Sequence, residues 1–560
     1  MLGLIVTGVL GGLIIYFINM YVKRSQSYWK EKGVPFLPPG SILFGNMSDV
    51  ILRKASMGEN LIKIYRELDG QKFGGYFQFQ TPVLMIRDPE LINYFLIKDF
   101  GHFHDRNMPT SEDFDLMGSS LASLTGQRWR SLRYKMTPTF TSGKLKRMFS
   151  QIVSCSDAII DHVSTLPRGE AVEVRDLMFK FTINVIGSVA FGLQIDSHKA
   201  VDGRNKVFID MSKRFFKPSM IQFLKFFLRM SYPRLMEALG MRMNDPEMNE
   251  FFSTLVADII RLRQAEEKDA KSSNKKRDDF LQLMMDIRKS SKNKDEAAPK
   301  SNVKEEQMEA EDHALLDQFK HVPNDGKQAY DIEMTDEIMT SQAFIFIAGG
   351  SETTAAVLQF ALFEMAHKPE VLAKVHQEID EFTAGGQFTY EAVRDMKYLE
   401  NVLNEALRLH PPGSILARFC TESYKIPGTD IVLEKGSQIN VPVIGIHLDP
   451  KYFPQPEEFM PERFDKEIPK GAFFPFGGGP RICIAMRLAM LQMKIFLARL
   501  LMRYSVTLSD KTTVPLKLMS DSIVQHVKVV FGCTSSQEKY SKVTKNDSNK
   551  LIELTIQCLI

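Results

Sequence analysis

The segment 474–483, Phe-Pro-Phe-Gly-Gly-Gly-Pro-Arg-Ile-Cys, constrains this chain more than any other stretch. Three consecutive glycines and a proline cannot continue a helix or a central strand. They predict a loop whose backbone can approach a ligand closely, because no Cβ intervenes. The loop ends at Cys483, and residues 484–504 (IAMRLAMLQMKIFLARLLMRY) read as a long apolar helix. A cysteine at a helix N-terminus sits beside free N–H groups and a positive dipole end, which favour thiolate over thiol. One thiolate on a glycine loop is poor zinc chemistry, which wants four ligands. It suits the single axial ligand of a haem iron. Taken alone, a buried structural cysteine is the plainer reading.

Composition narrows the rest. Of 560 residues, 44% are hydrophobic and 25% charged, an ordinary globular balance that excludes collagen-like, wholly disordered and polytopic membrane chains. A net charge of +3 gives no reason to expect nucleic acid. The five cysteines, Cys155, Cys420, Cys483, Cys533 and Cys558, include no CxxC, which argues against a disulfide framework or structural zinc. Forty Phe and 30 Met against two Trp predict a soft interior suited to greasy ligands.

Residues 2–22 carry no charge, and 21 residues at ~1.5 Å each span a bilayer core of about 30 Å. Lys23, Arg24, Lys30 and Lys32 follow, which places the bulk of the chain in the cytosol. The run lacks the basic n-region and A-x-A site of a cleaved signal and the Arg-rich amphipathic pattern of a mitochondrial presequence. Residues 1–22 are therefore expected to be a transmembrane signal anchor, and 23–45, with Pro35, Pro38 and Pro39, a basic, proline-rich hinge. Sequons at Asn46 and Asn546 should stay unmodified in a cytosolic domain.

Alternation over 74–86 predicts strands, and 129–263 is mostly helical. Residues 208–241, rich in Phe, Met, Lys and Arg, are ordinary helix or a segment lying on lipid near a substrate entrance. Residues 264–311 form a charged, partly disordered connection with one short helix at 280–287. Turn signals at Pro427-Gly428 and Lys435-Gly436 predict a β-meander over 424–443. The fold class is mainly α with small β-sheets (α+β).

Further pairs bear on chemistry. Glu405 and Arg408 share a helix face, as do Trp129 and Arg133. Thr335 caps a long helix running towards His367, with Ala348-Gly-Gly-Ser-Glu352-Thr353-Thr354 in its middle. Two glycines there cost roughly 1 kcal/mol each relative to Ala, so a gain elsewhere is expected.

Residues 476–485, FGGGPRICIA, resemble the haem-binding signature Phe-x-x-Gly-x-Arg-x-Cys-x-Gly of the cytochrome P-450 monooxygenases, departing only at Ala485. The segment 459–464, FMPERF, resembles the family's PERF segment, and 348–354 its oxygen-binding helix. The signals keep the family's order, and the resemblance covers about residues 1–515. Its texture is most like the membrane-bound microsomal branch, in particular the insect enzymes of xenobiotic metabolism. The resemblance implies one large haem domain over 46–532 behind the anchor, holding heme b on Cys483. Phe476 belongs to the haem-binding loop, Trp129, Arg133, Arg418 and Arg481 serve the propionates, and Glu405, Arg408 and Arg463 form a structural network. Gly350 leaves room for dioxygen, and Glu352 and Thr353 handle protons. Candidate pocket residues are Phe344, Phe346, Ala348, Ser414, Ile415 and Leu416.

The implied activity is insertion of one atom of O2 into lipophilic small molecules, xenobiotics first, with an endogenous fatty acid, terpenoid or steroid as the alternative. No nicotinamide or flavin motif stands after a strand. The implied electron donors are therefore the NADPH-cytochrome reductase and cytochrome b5, met at the endoplasmic reticulum membrane. Lys135, Lys144, Lys146 and Arg147 could steer an acidic partner. An isomerase or dehydratase of oxygenated lipids is opposed by Gly350, Glu352 and Thr353. A catalytically dead haem-binding protein is the rival kept alive by the C-terminus: residues 516–530 show no obvious counterpart of the pocket-lining hairpin that usually ends the family's chains, and 533–560 is an atypical tail.

Overall fold

A computed structural model describes residues 12, 16, 20, 22–106, 108, 110–112, 115–165, 171–199, 203–243, 245–268, 277–292, 332–508, 516, 519, 530–533 and 552–557. The anchor, apart from residues 12, 16, 20 and 22, lies outside them, as do most of the charged connection and most of the tail.

Two apolar clusters organise the molecule. The larger joins the helices Ser142–Thr165, Val174–Phe191, Lys397–Leu409 and Met486–Leu501 around the segment 336–367. Val174–Phe191 and Glu352–His367 are apolar nearly all round, which is why they lie inside rather than on the surface. The segment 336–367 is the one described stretch long and apolar enough to cross a membrane, and it is mostly buried within the protein. The smaller cluster lies on a four-stranded sheet. Phe73–Gln78 pairs antiparallel with Thr81–Ile86, which runs parallel to Gln438–Val441, which pairs antiparallel with Leu416–Phe419. Strand Gln438–Val441 thus leaves the expected meander. Only Tyr424–Lys425 and Val432–Leu433 form a separate hairpin.

The long helix after Thr335 is broken in two. Thr335 caps Asp336–Gly350 by accepting the Ile338 N–H, and a new helix, Glu352–His367, begins after Ser351. Two side chains compete for backbone carbonyls at the break. Ser351 Oγ donates to the Ile347 carbonyl and Thr353 Oγ1 to the Gly349 carbonyl, both at 2.6 Å. With glycine at 349 and 350 the backbone has little to resist this local bonding.

The 23–45 segment is fastened to the body instead of swinging on its prolines. Trp29 is 1% exposed and its Nε1 donates to the Tyr76 carbonyl at 3.3 Å. A Cβ on Gly75 would lie 2.5 Å from the Trp29 ring, so strand Phe73–Gln78 needs glycine there. Tyr28 and Lys32 both bond Glu434. Asn46 uses its whole amide inside the fold, Nδ2 on the Pro38 carbonyl and Oδ1 on the Phe77 N–H. A glycan there would break both bonds.

The expected helix at 280–287 extends over Phe280–Lys292. In the C-terminal region, Val530–Cys533 pairs antiparallel with Ile552–Gln557, which runs parallel to Tyr504–Leu508. Two strands therefore stand in a region where the sequence suggested no hairpin.

Candidate functional site

The glycine loop folds back on itself before the helix Met486–Leu501. Gly477 N–H donates to the Phe474 carbonyl, Ile482 N–H to that of Gly479, and Cys483 N–H to that of Phe476, each at 2.9 Å. Gly477 and Gly479 have φ of +84° and +66°. A Cβ on Gly479 would fall 1.8 Å from the Leu96 carbonyl oxygen, so that position admits only glycine. Gly477 faces the loosest surroundings of the three, its nearest neighbour being Leu416 Cδ2 at 3.8 Å. Ala485 has an ordinary φ of −96°, so the departure from the signature's last glycine creates no strain. Cys483 is half-buried. Burial pushes its thiol pKa up, and the Ala485 N–H and the charges of Arg133 and Arg106 only partly offset this. The helix start alone does not deliver the expected thiolate; a metal cation on the sulfur would.

Three arginines, Arg133, Arg418 and Arg481, are each at most 3% exposed, and Arg106 reaches the same place, donating from Nη2 to the Arg481 carbonyl. Burial, then mutual repulsion, holds Arg418 and Arg481 far below the usual guanidinium range. Burial pushes Arg133 down to about 10. Arg481 lies 4.0 Å over the Trp129 ring and commits Nε, Nη1 and Nη2 to the carbonyls of His104, Leu121 and Leu124. Three of its five N–H groups are thus spent on the backbone, and it brings charge to the site. Arg418 gives Nη1 to the Ala417 carbonyl at 2.8 Å, while its buried Nε and Nη2 have no partner among the described residues. Asp105, 3.9 Å from Arg481, is the carboxylate beside them.

Such a concentration of buried cations is costly unless anions complete it. A haem brings two carboxylates and an iron that binds sulfur as its anion. The orphaned donors of Arg418, the surplus of guanidiniums and the half-buried sulfur match that demand, so the residues fit the group.

The second arginine group is closed. Glu405 and Arg408 are both fully buried. Arg408 gives Nε and Nη2 to the two Glu405 oxygens at 2.7 and 2.8 Å, Nη1 to the His447 and Pro456 carbonyls, and its last N–H to that of Glu458. Arg463 Nε reaches Glu405 Oε1 at 3.1 Å, with the Met460 N–H on the same oxygen at 2.9 Å.

At the helix break Gly349 faces open space, with no atom within 4 Å of a Cβ built there, and Thr353 is half-buried. Gly350 is tighter, its Cβ position lying 2.9 Å from Ile186 Cδ1. Glu352 is 2% exposed and ion-paired to Arg175. Burial raises its pKa against the pull of Arg175, Lys217 and Lys213. Thr354 accepts from Gln492 Nε2 of the Cys483 helix at 3.2 Å, which ties the break to that helix.

Phe344 packs on Phe215 and Phe252, and Phe346 on Phe140 and Phe280, so ring packing occupies both candidate pocket side chains. Ala348 and Ser414 are buried, and Ile415 and Leu416 pack against the smaller cluster. The supposed steering patch is largely neutralised. Lys146 pairs with Glu391, Lys144 and Arg147 with Asp278, and Lys135 donates to the Ile332 carbonyl.

Sequence reasoning missed Arg106, Arg175, His447 and the open side of Gly349. Only the glycine carried a signal, four residues before Thr353 and hence one helical turn away.

Comparison with known proteins gives the same answer along nearly the whole chain. The family model described as Cytochrome P450 matches residues 35–531. Cytochrome P450 9e2 of Blattella germanica is 33% identical over 530 residues, covering 90% of this chain and 92% of its own length. Cytochrome P450 6a8 of Drosophila melanogaster is 33% identical over 530 residues, covering 92% and 96%. Cytochrome P450 6k1 of Blattella germanica is 32% identical over 523 residues, covering 92% and 94%. With the glycine loop, the closed arginine network and relatives among the insect enzymes all in agreement, this chain belongs to the cytochrome P450 family.

Proposed function

We propose that this protein is a membrane-anchored haem-thiolate monooxygenase that inserts one oxygen atom of O2 into lipophilic foreign compounds. The observation that carries the reading is the half-buried Cys483 on a loop only glycine can form, beside Arg418 donors that lack an anion. Cys483 would hold the iron, and Arg106, Arg133 and Arg418 would receive the propionates, with Arg481 keeping the loop and Trp129 in place. When bound, the haem supplies activation of dioxygen and transfer of one oxygen atom to a C–H, C=C or heteroatom.

The chain's own part is proton handling and water exclusion. Thr353 Oγ1 now donates to the Gly349 carbonyl at the helix break. Rotation about its χ1 would turn that O–H towards the open side of Gly349. Glu352 can relay a proton only if its carboxylate leaves Arg175, so the Arg175 pair sets how readily the acid is supplied. Ser351, Glu352 and Thr354 are buried beside Thr353, which strengthens their polar contacts.

Electrons would come from an NADPH-dependent reductase, as membership of the family implies. Attachment to the endoplasmic reticulum membrane is supported by exposed apolar residues beside the Gln78–Thr81 turn. Ile42 and Leu43 are 68% and 70% exposed. Gln80 bonds the Ile42 carbonyl, and Thr81 donates to that of Ser231 at 3.3 Å. Ser25, three residues beyond the apolar run, donates to the Gln80 carbonyl. That face would rest on lipid, where greasy substrates concentrate.

The test is spectroscopic. The reduced protein with carbon monoxide should show the red-shifted Soret band of thiolate ligation, and Cys483→Ala should abolish it. A parent protein without that band would overturn the reading. Turnover with reductase across panels of foreign compounds and of fatty acids, terpenoids and steroids decides the substrate class.

A further inference from the structure

His447 is fully buried at the end of the short helix Val443–His447, and it touches both the closed arginine network and the cysteine loop. Its carbonyl accepts from Arg408 Nη1 at 2.8 Å. Its Nε2 accepts the backbone N–H of Phe474 at 3.2 Å. An imidazole nitrogen that accepts must be unprotonated, so this bond assigns the proton to Nδ1. Nδ1 is buried with no hydrogen-bond partner among the described residues. Phe453, Phe473 and Phe474 surround the ring, with centroids 5.2 to 6.3 Å away. Burial, helped by the Arg408 charge, pushes the His447 pKa down to about 3 and keeps the ring neutral.

These contacts join into one chain of bonds. Arg408 holds the His447 backbone, the His447 ring holds the Phe474 N–H, the Phe474 carbonyl holds the Gly477 N–H, and the Phe476 carbonyl holds the Cys483 N–H. Arg408 is fixed by Glu405, so the series starts at a rigid point. Glycine at 477–479 gives the loop backbone freedom that this series removes.

We propose that His447 is a positioning residue for Cys483: its Nε2 fixes the entry to the glycine loop at Phe474 and thereby sets where the sulfur stands. A residue offering no acceptor would leave the Phe474 N–H buried and unbonded, and the loop would shift to satisfy it. The inference rests on the haem-thiolate reading, which the spectrum of the unmodified protein tests separately.

The experiment uses the full-length, haem-loaded protein and two variants. His447→Gln keeps an acceptor at about the reach of Nε2, and His447→Leu keeps bulk without one. Two quantities are followed: the share of the carbon monoxide spectrum in the red-shifted band, and the rate of haem transfer to a haem-free globin. His447→Leu should lose haem about tenfold faster, with much of its band moved to the unshifted position, while His447→Gln stays within about twofold of the parent. A haem-loaded His447→Leu with the parent's spectrum and rate overturns the proposal, as does a His447→Gln no better than His447→Leu, since ring packing would then be what matters. Should His447→Leu fail to load haem, His447→Gln decides alone: parent-like behaviour supports the proposal and failure overturns it. A red-shifted band missing from the parent itself would instead strike at the haem-thiolate reading.

Discussion

Two groups of buried arginines meet the Cys483 loop, and they differ in how far the polypeptide completes them. Around Glu405 every N–H of Arg408 has an acceptor, and two cations share one carboxylate with five backbone oxygens helping. Around Arg418 several guanidiniums repel one another, and two donors find no partner among the described residues. Buried charge is tolerated in a folded chain only when its environment answers it. The first group answers itself and so can brace the fold with or without a ligand. The second is incomplete as it stands, and it is where the proposed haem would bring its carboxylates.

The difference can be broken from either side. The largest effect is expected at the closed group. Glu405→Ala strands two buried guanidiniums and should cost about 3–5 kcal/mol, read as a lower denaturant midpoint with or without haem. A smaller loss should follow Glu352→Gln, which removes the acid but leaves its volume. Product formation should fall roughly 10²-fold, with some loss of stability because the Arg175 guanidinium keeps only a neutral partner. Because burial raises the Glu352 pKa, its protonated form persists to higher pH than in an exposed glutamate. Turnover should decline as pH rises through that value, and the Gln variant should lack this limb. The smallest effect sharpens the contrast by changing sign. Arg418→Met relieves an unanswered charge, so the haem-free protein should gain about 1 kcal/mol while the haem-loaded protein releases haem faster. Equal destabilisation of both forms would mean that the two groups are alike after all.

The sequence made the site legible wherever the chemistry is packed into neighbours. The glycine loop, the Glu405–Arg408 turn, the PERF segment and the Gly-Glu-Thr segment each carry their meaning within a few residues. What escaped depends on distant contacts. Arg106 meets the loop 375 positions away, Arg175 meets Glu352 across 177, and His447 looks like an ordinary residue until Phe474 lies against it. Phe344 and Phe346 are ambiguous for a related reason. Aromatic residues on a helix beside a glycine break suit either a pocket or a core, and only neighbouring helices decide between them. The helix break itself was half visible, since the glycines announced a cost but not that the Ser351 and Thr353 hydroxyls would bond the carbonyls of Ile347 and Gly349.

Trp29 has a practical corollary. Its indole fills a notch that Gly75 leaves in the first strand, and its neighbours clip onto Glu434. A soluble form trimmed to begin at residue 35 would remove this plug and leave a Trp-sized hole under the sheet. One trimmed just ahead of Tyr28 keeps the plug seated, and is the shortened chain to prefer for crystallisation.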